Sequence, residues 1–279
     1  MPSGAASPSG WAGEPYAAAA RHHRSFDDWF VAQLPPGPSD RVVDVGAGSG
    51  EFTARLAELV PDGHVIGVEP DPSMLAAARR HQRANLEFRA GTFAELDGVC
   101  GSGGADLVVS RAVLHWLPSE DHLDAFRATW RTLRAGGWFH AEWGGAGNVR
   151  RLRSVLDEVA DVVGATPTRL TFHDAGTVLE LLEQAGFEVP PTGVSTIAQR
   201  RGFDREQLLA FVRTQATMAY RFTGAEDRER FVSEVVARLD ALRRHDGSFD
   251  QTFVRLHVRC RRPGRAAAPG IRGSEQTED

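Results

Sequence analysis

Between residues 16 and 145 the apolar positions fall into two alternating patterns. Short, largely apolar runs at 41–45, 64–68, 86–89, 106–110 and 138–143 have strand length. Between them the apolar residues recur every three or four positions, as on one helix face. The segment 52–60 carries Phe52, Leu56 and Leu59 that way, 72–82 opens on Asp71 as N-cap with Pro72 in its first turn, and 123–133 is a further helix. Ahead of these, 16–34 reads as a helix with Phe26, Trp29, Phe30 and Leu34 at helical spacing, and Pro35-Pro36-Gly37-Pro38 ends it. Strands alternating with helices at this spacing build right-handed βαβ units, so the pattern predicts an α/β fold with a parallel sheet covered on both faces.

After residue 145 the pattern becomes mostly helical. Helices are predicted over 148–163, 175–185 (stopped by Gly186), 204–222 and 225–244, with strands at 194–200 and 252–260. The organisation expected is a tail at 1–13, a ligand-binding core over 14–145, a remainder with helical insertions over 146–261, and a second tail at 262–279. Both tails are poor in large apolar residues and are expected to be disordered.

Composition narrows the function. The 279 residues carry a net charge of -5, which argues against a nucleic-acid partner, whose phosphates need a basic stripe. No apolar run approaches the roughly 20 residues of a membrane span. Two cysteines without metal-ligand spacing suit a reducing cytoplasm, the expected location. All 32 basic residues are arginine, so Schiff-base and lysine-nucleophile mechanisms are excluded.

The chemistry-bearing segment is Val42-Val43-Asp44-Val45-Gly46-Ala47-Gly48-Ser49-Gly50-Glu51-Phe52, a strand running through a glycine-rich turn into a helix. Such a turn lets a ligand approach the backbone at the carboxyl edge of the sheet. Glu51 stands where a dinucleotide fingerprint has its third glycine, and a carboxylate at a helix start repels a diphosphate. A cationic ligand without phosphates fits better. Some twenty residues on, Glu69 ends the second strand, where α/β nucleotide folds hold ribose hydroxyls.

These residues resemble the class I S-adenosylmethionine-dependent methyltransferases. The loop from Asp44 to Gly50 is similar to that family's first motif, and Val65-Ile66-Gly67-Val68-Glu69-Pro70-Asp71 to its second. Ser110-Arg111-Ala112-Val113-Leu114-His115-Trp116-Leu117-Pro118 follows the fourth strand as in the family, and Gly136-Gly137-Trp138 lies in the turn into the fifth. The resemblance implies a Rossmann-like sheet of seven strands, mostly parallel with the last antiparallel, an N-terminal helical lid and helical insertions. It implies S-adenosyl-L-methionine as cofactor, S-adenosyl-L-homocysteine as product and no metal. It places Gly46, Ala47, Gly48 and Gly50 along the methionyl part, Glu69 and Pro70 at the ribose, Met74 near the adenine, and Asp44 toward the amino group through water, with Ser110 also in the cofactor set. Where the family often has an adenine-binding aspartate this chain has Thr92, which accepts one hydrogen bond without charge assistance, with Phe93 expected to pack on the ring.

The acceptor is expected to be a small molecule. Tyr16, His22 and His23 on the lid, Trp116, Trp143 and Arg213 are its candidate contacts, and Arg201, Arg205 and Arg221 are further cations on or before the inserted helices. His115 is the candidate catalytic base. The segment 114–118 and the insertion before the last strand resemble the trans-aconitate methyltransferase branch, whose carboxylate nucleophile needs no base. Two other readings stand beside it: an O- or C-methyltransferase of secondary metabolism using His115, and a non-catalytic cofactor-binding regulator. Oligomeric state is not read from the sequence.

Overall fold

The computed structural model describes residues 24–264, apart from 241 and 246. Strands β1 (Arg41–Val45), β2 (His64–Glu69), β3 (Leu86–Ala90), β4 (Ala105–Arg111) and β5 (Leu133–Gly144) are joined by helices, and β7 (Val194–Phe203) and β9 (Phe249–Arg261) complete the sheet. Its order is β3-β2-β1-β4-β5-β9-β7, with β9 antiparallel to both of its neighbours. This is the seven-stranded, mostly parallel sheet expected, with the last strand antiparallel. The order reverses between β1 and β4, the point at which open α/β sheets leave a crevice at their carboxyl ends.

The strand period of two divides the sheet's apolar residues between two cores. On one face Val43, Val45, Ile66 and Val68 pack with Leu96 of α4 (Leu96–Cys100), Phe126 of α5 (His122–Thr132) and Leu182 of α7 (Ala175–Gln184). On the other, Val42, Val65 and Leu86 pack with Phe30 of α1 (Arg24–Gln33), Leu56 of α2 (Glu51–Leu59) and Leu75 of α3 (Pro72–Ala78). Asp71 caps α3 as expected, its Oδ1 accepting from the backbone amides of Ser73 at 2.9 Å and Met74 at 3.0 Å.

A third cluster belongs to the inserted helices. Leu152, Leu156 and Val159 of α6 (Arg150–Val163) pack with Leu208 and Val212 of α8 (Arg205–Thr214) and Phe231 and Val235 of α9 (Ala225–Asp240), against Phe203 and Phe249 of β7 and β9.

The predicted helix over 204–222 breaks early. It ends at Thr214, a 3₁₀ turn covers Ala216–Ala219, and Tyr220–Arg221 forms a short strand, β8, paired with β6 (Thr166–Pro167). Tertiary contacts override the helical pattern here. The Tyr220 hydroxyl donates to Asp157 on α6 at 2.5 Å, and its ring lies 5.0 Å from that of Phe231. The predicted helix over 225–244 likewise ends at Asp240. The strand expected at 138–143 starts five residues sooner and absorbs Gly136-Gly137 as an irregularity, with Gly136 at φ +77°. Among the described residues no helix is long and apolar enough to cross a membrane.

Candidate active site

The glycine-rich turn leaves the carboxyl end of β1 with Gly46 at φ +79°, Gly48 at +56° and Gly50 at +91°, conformations that disfavour side chains. Sterics add to this at Gly46, where a Cβ would come within 2.2 Å of Val113 Cγ2. A Cβ on Gly48 would meet nothing within 4 Å, so the middle of the turn is open to a ligand. The amides of Gly46 and Ala47 are held by the Val68 carbonyl at 2.8 and 3.0 Å, fixing the loop against the tip of β2.

At that tip Glu69 is buried, and its two carboxylate oxygens accept from the backbone amides of Gly48 and Asp71, both at 2.9 Å. Burial pushes its carboxyl above the usual range, opposed by the Asp71 and Gly48 amides. Each oxygen keeps a further lone pair, the requirement for receiving two neighbouring hydroxyls. Asp44 lies beneath the loop, accepting from the Thr53 hydroxyl at 2.6 Å, and burial lifts its carboxyl to about 7. The Glu69 carboxyl, the partly ionised Asp44 and the absence of lysine around an open glycine turn fit a cationic group. Met74 is buried in the first turn of α3, and Pro70 is exposed beside Glu69.

Of the expected cofactor contacts, Ser110 and Phe93 are committed elsewhere, and Thr92 is exposed with part of its capacity used in a local cap. The Ser110 hydroxyl is buried and donates to the Val45 carbonyl at 2.8 Å. The backbone amide and hydroxyl of Thr92 bond Glu95 at 3.2 and 3.0 Å in a capping box. Phe93 sits in the apolar core with Leu96 and Phe126, because the turn after β3 points its ring under the sheet.

Beyond β4 the segment 112–116 runs from the glycine loop to a cavity of about 140 Å³. Its wall includes His115, Trp116, Leu152, Phe172, Phe211 and Phe253, together with Arg153, Asp157, Tyr220 and Arg255. The segments that follow β4 and β5, strand β9 and the inserted helices thus form one pocket. His115 Nδ1 accepts a long hydrogen bond of 3.4 Å from the Gly144 amide. Burial, with the Arg255 charge beside it, lowers the His115 pKa to about 3. The ring is therefore neutral at physiological pH, with its proton on Nε2.

Sequence similarity extends across this architecture. Residues 42–137 match the model of a methyltransferase domain. A trans-aconitate 2-methyltransferase of Deinococcus radiodurans is 33% identical over 221 residues, 75% of this chain and 82% of that protein. The chain belongs to the S-adenosylmethionine-dependent methyltransferases. An arsenite methyltransferase of Halobacterium salinarum is 37% identical over 54% of this chain and 38% of its own length. Among solved structures, geranyl diphosphate C-methyltransferase from Streptomyces coelicolor superposes with a TM-score of 0.54 at 16% identity, covering 89% of this chain and 82% of that one, a likeness of fold.

The expected acceptor contacts of this methyltransferase divide. Trp116 lines the cavity, whereas Tyr16, His22 and His23 lie outside the described residues. Trp143 is not at the pocket; strand alternation turns its ring into the core with Phe139 and Leu256, where it is fully buried. Arg213 is not there either. It points outward from α8 to pair with Glu229 on α9 at 2.9 Å. Arg205 pairs with Asp240 at 3.2 Å, Arg201 lies over the Phe203 ring, and Arg221 is exposed.

Glu142, at the end of the fifth strand, was expected near this edge, but the charged residues grouped with it, Asp27, Arg111 and Arg255, went unselected in the sequence. Arg111, ending β4, bonds Asp27 of α1 and, at 3.1 Å, Glu142 of β5. Arg255 of β9 approaches Glu142 from the other side at 3.9 Å. Burial raises the Glu142 carboxyl, but Arg255 and then Arg111 outweigh it and hold the pKa below the usual range. Asp27, Arg111, Glu142 and Arg255 thus form a row from the N-terminal helix to the cavity. The available signal was alternation: Phe253, Arg255, His257 and Arg259 share one face of the closing strand.

Proposed function

We propose that this methyltransferase forms methyl esters on small-molecule carboxylates. The observation that carries the reading is His115. A neutral imidazole whose Nδ1 already accepts the Gly144 amide, and whose pKa lies near 3, presents an Nε2–H donor to the cavity in place of a base. An acceptor here must be ionised without help, and a carboxylate is. The similarity to a trans-aconitate 2-methyltransferase supports the same reading.

The residues present fit S-adenosylmethionine. Glu69 would take its ribose hydroxyls, the Gly46 to Gly50 backbone its methionyl part, and Asp44 its amino group through water, whereas the Met74 side chain is fully buried beneath the adenine side. When bound, the cofactor supplies an electrophilic methyl group on a sulfonium. The acceptor would be an oxygen lone pair, with the C–S electron pair left on sulfur. No proton is released, and charge is neutralised, so alignment in a desolvated pocket is the main requirement. Trp116, Phe172 and Phe253 exclude water, and His115 Nε2–H can donate to the carboxylate.

The test is product chemistry. With methyl-labelled cofactor and a carboxylate panel, the label should return as methanol on mild alkaline hydrolysis, and kcat/KM for the carboxylate, measured with the enzyme saturated with cofactor so that Asp44 does not enter, should be flat from pH 5.5 to 8.5. A base-stable product, with a rate that rises through a pKa near 6.5 and is lost in His115→Gln, would restore the base-dependent O- or C-transfer reading.

A further inference from the structure

We infer that Arg255 sets acceptor specificity, receiving the single carboxylate of a molecule whose remainder is apolar. The inference rests on the ester-forming reading above and narrows it from carboxylates to monocarboxylates.

Arg255 is an unusual cation for its surroundings. Its side chain is only 16% exposed, and among the described residues its guanidinium has no hydrogen bond and one carboxylate neighbour, Glu142 Oε2, at 3.9 Å. That same oxygen is buried and lacks a hydrogen-bond partner. A guanidinium carries five N–H donors in a planar fork matched to a carboxylate, and none of the Arg255 nitrogens is fully buried, so the fork is open to a ligand. Arg255 lines the cavity that also holds His115, so the acceptor missing from its hydrogen-bond complement can come from a ligand there. Held at one oxygen, a carboxylate keeps the other as the attacking atom.

The charge count around the cavity limits the ligand to one such group. Arg153, the other arginine on the wall, already faces Asp157 at 3.5 Å, and Asp157 also accepts the Tyr220 hydroxyl. Arg111 is taken by Asp27 and Glu142. Arg255, which meets Glu142 only at 3.9 Å and makes no hydrogen bond, is therefore the wall arginine with its donors still open to an incoming anion among the described residues. Much of the rest of the wall is apolar, with Leu152, Leu156, Phe172, Phe211 and Phe253, and its polar members Asn148, Thr168 and Gln215 are uncharged, so a second or third carboxylate would be desolvated without a cationic partner. A volume of about 140 Å³ suits one aromatic ring or a short alkyl chain.

Calorimetric titration of the full chain, loaded with S-adenosyl-L-homocysteine, with benzoate, hexanoate, benzamide and trans-aconitate tests this. Benzoate and hexanoate should bind at least tenfold more tightly than trans-aconitate, and benzoate tenfold more tightly than benzamide. Arg255→Met should reduce the benzoate to benzamide ratio to near one, with affinity for the demethylated cofactor within threefold of the parent, and Arg255→Lys should recover part of the ratio. Tighter binding of trans-aconitate, a ratio unmoved by Arg255→Met, or no carboxylate binding would each overturn the assignment. Failure of the ester reading has a different signature: a monocarboxylate would bind with full dependence on Arg255 while methyl transfer went only to phenol, giving a base-stable ether.

Discussion

Replacing Glu69 by glutamine preserves the size of the side chain and removes both its charge and one of its acceptor oxygens. In the structure one carboxylate oxygen receives the Gly48 amide and the other the Asp71 amide, each at 2.9 Å. A glutamine Nε2 must face one of these two N–H groups, donor against donor, so either the glycine turn or the start of α3 loses its anchor. The two lone pairs assigned to ribose hydroxyls are reduced to one, on an uncharged group. Hydrogen bonds to a charged partner contribute roughly 1.5 to 3 kcal/mol each, so losing one and weakening the other should cost about 3 kcal/mol of cofactor binding. That is on the order of a hundredfold in Kd. Calorimetric titration of S-adenosyl-L-homocysteine into parent and Glu69→Gln protein, with melting curves to show that both are folded, measures it. A variant that is folded and binds within threefold of the parent would refute the site as drawn, because no other carboxylate ends β2.

Two further perturbations probe the frame and the surface. His140 is 3% exposed and stacks on Phe30 of α1 at 3.8 Å, and burial, with His257 and Arg259 nearby, lowers its pKa to about 3. Between pH 6.5 and 3 the unfolded chain binds a proton there and the folded chain does not, so this contribution to stability is intact above 6.5 and lost as pH falls. The loss should reach roughly 3 kcal/mol by pH 4, and His140→Phe should abolish that part of the acid sensitivity in urea unfolding at pH 7 and 4. Arg213→Ala should change stability by less than about 1 kcal/mol and leave acceptor KM unaltered, since its pair with Glu229 is exposed; a tenfold rise in KM in steady-state assays would place it back at the pocket.

What could be read from the chain beforehand follows the range of the forces involved. The glycine turn, the Asp71 cap and Glu69 were legible because backbone conformation and strand ends impose them locally. Tyr220 defied its helical context because a hydroxyl partner 63 positions away, Asp157, holds it. Arg255 was hidden for a similar reason. Only when β9 inserts antiparallel beside β5, opposing Gly144 to Arg255 and Glu142 to His257, does it come near Glu142 and, through it, Arg111. Phe93 and Trp143 were misplaced because sequence position puts a residue near the sheet's edge without saying which face its ring takes.

The inserted helices have an apolar core of their own, joined to the sheet through Phe203 and Phe249, while the methyltransferase-domain match ends at residue 137, before those helices begin. Separate cores allow separate histories. Substitutions in α6, α8 and α9 can recut the acceptor pocket without straining the glycine turn or the Glu69 anchor, so divergence among such enzymes should concentrate in the cap while the donor half stays fixed.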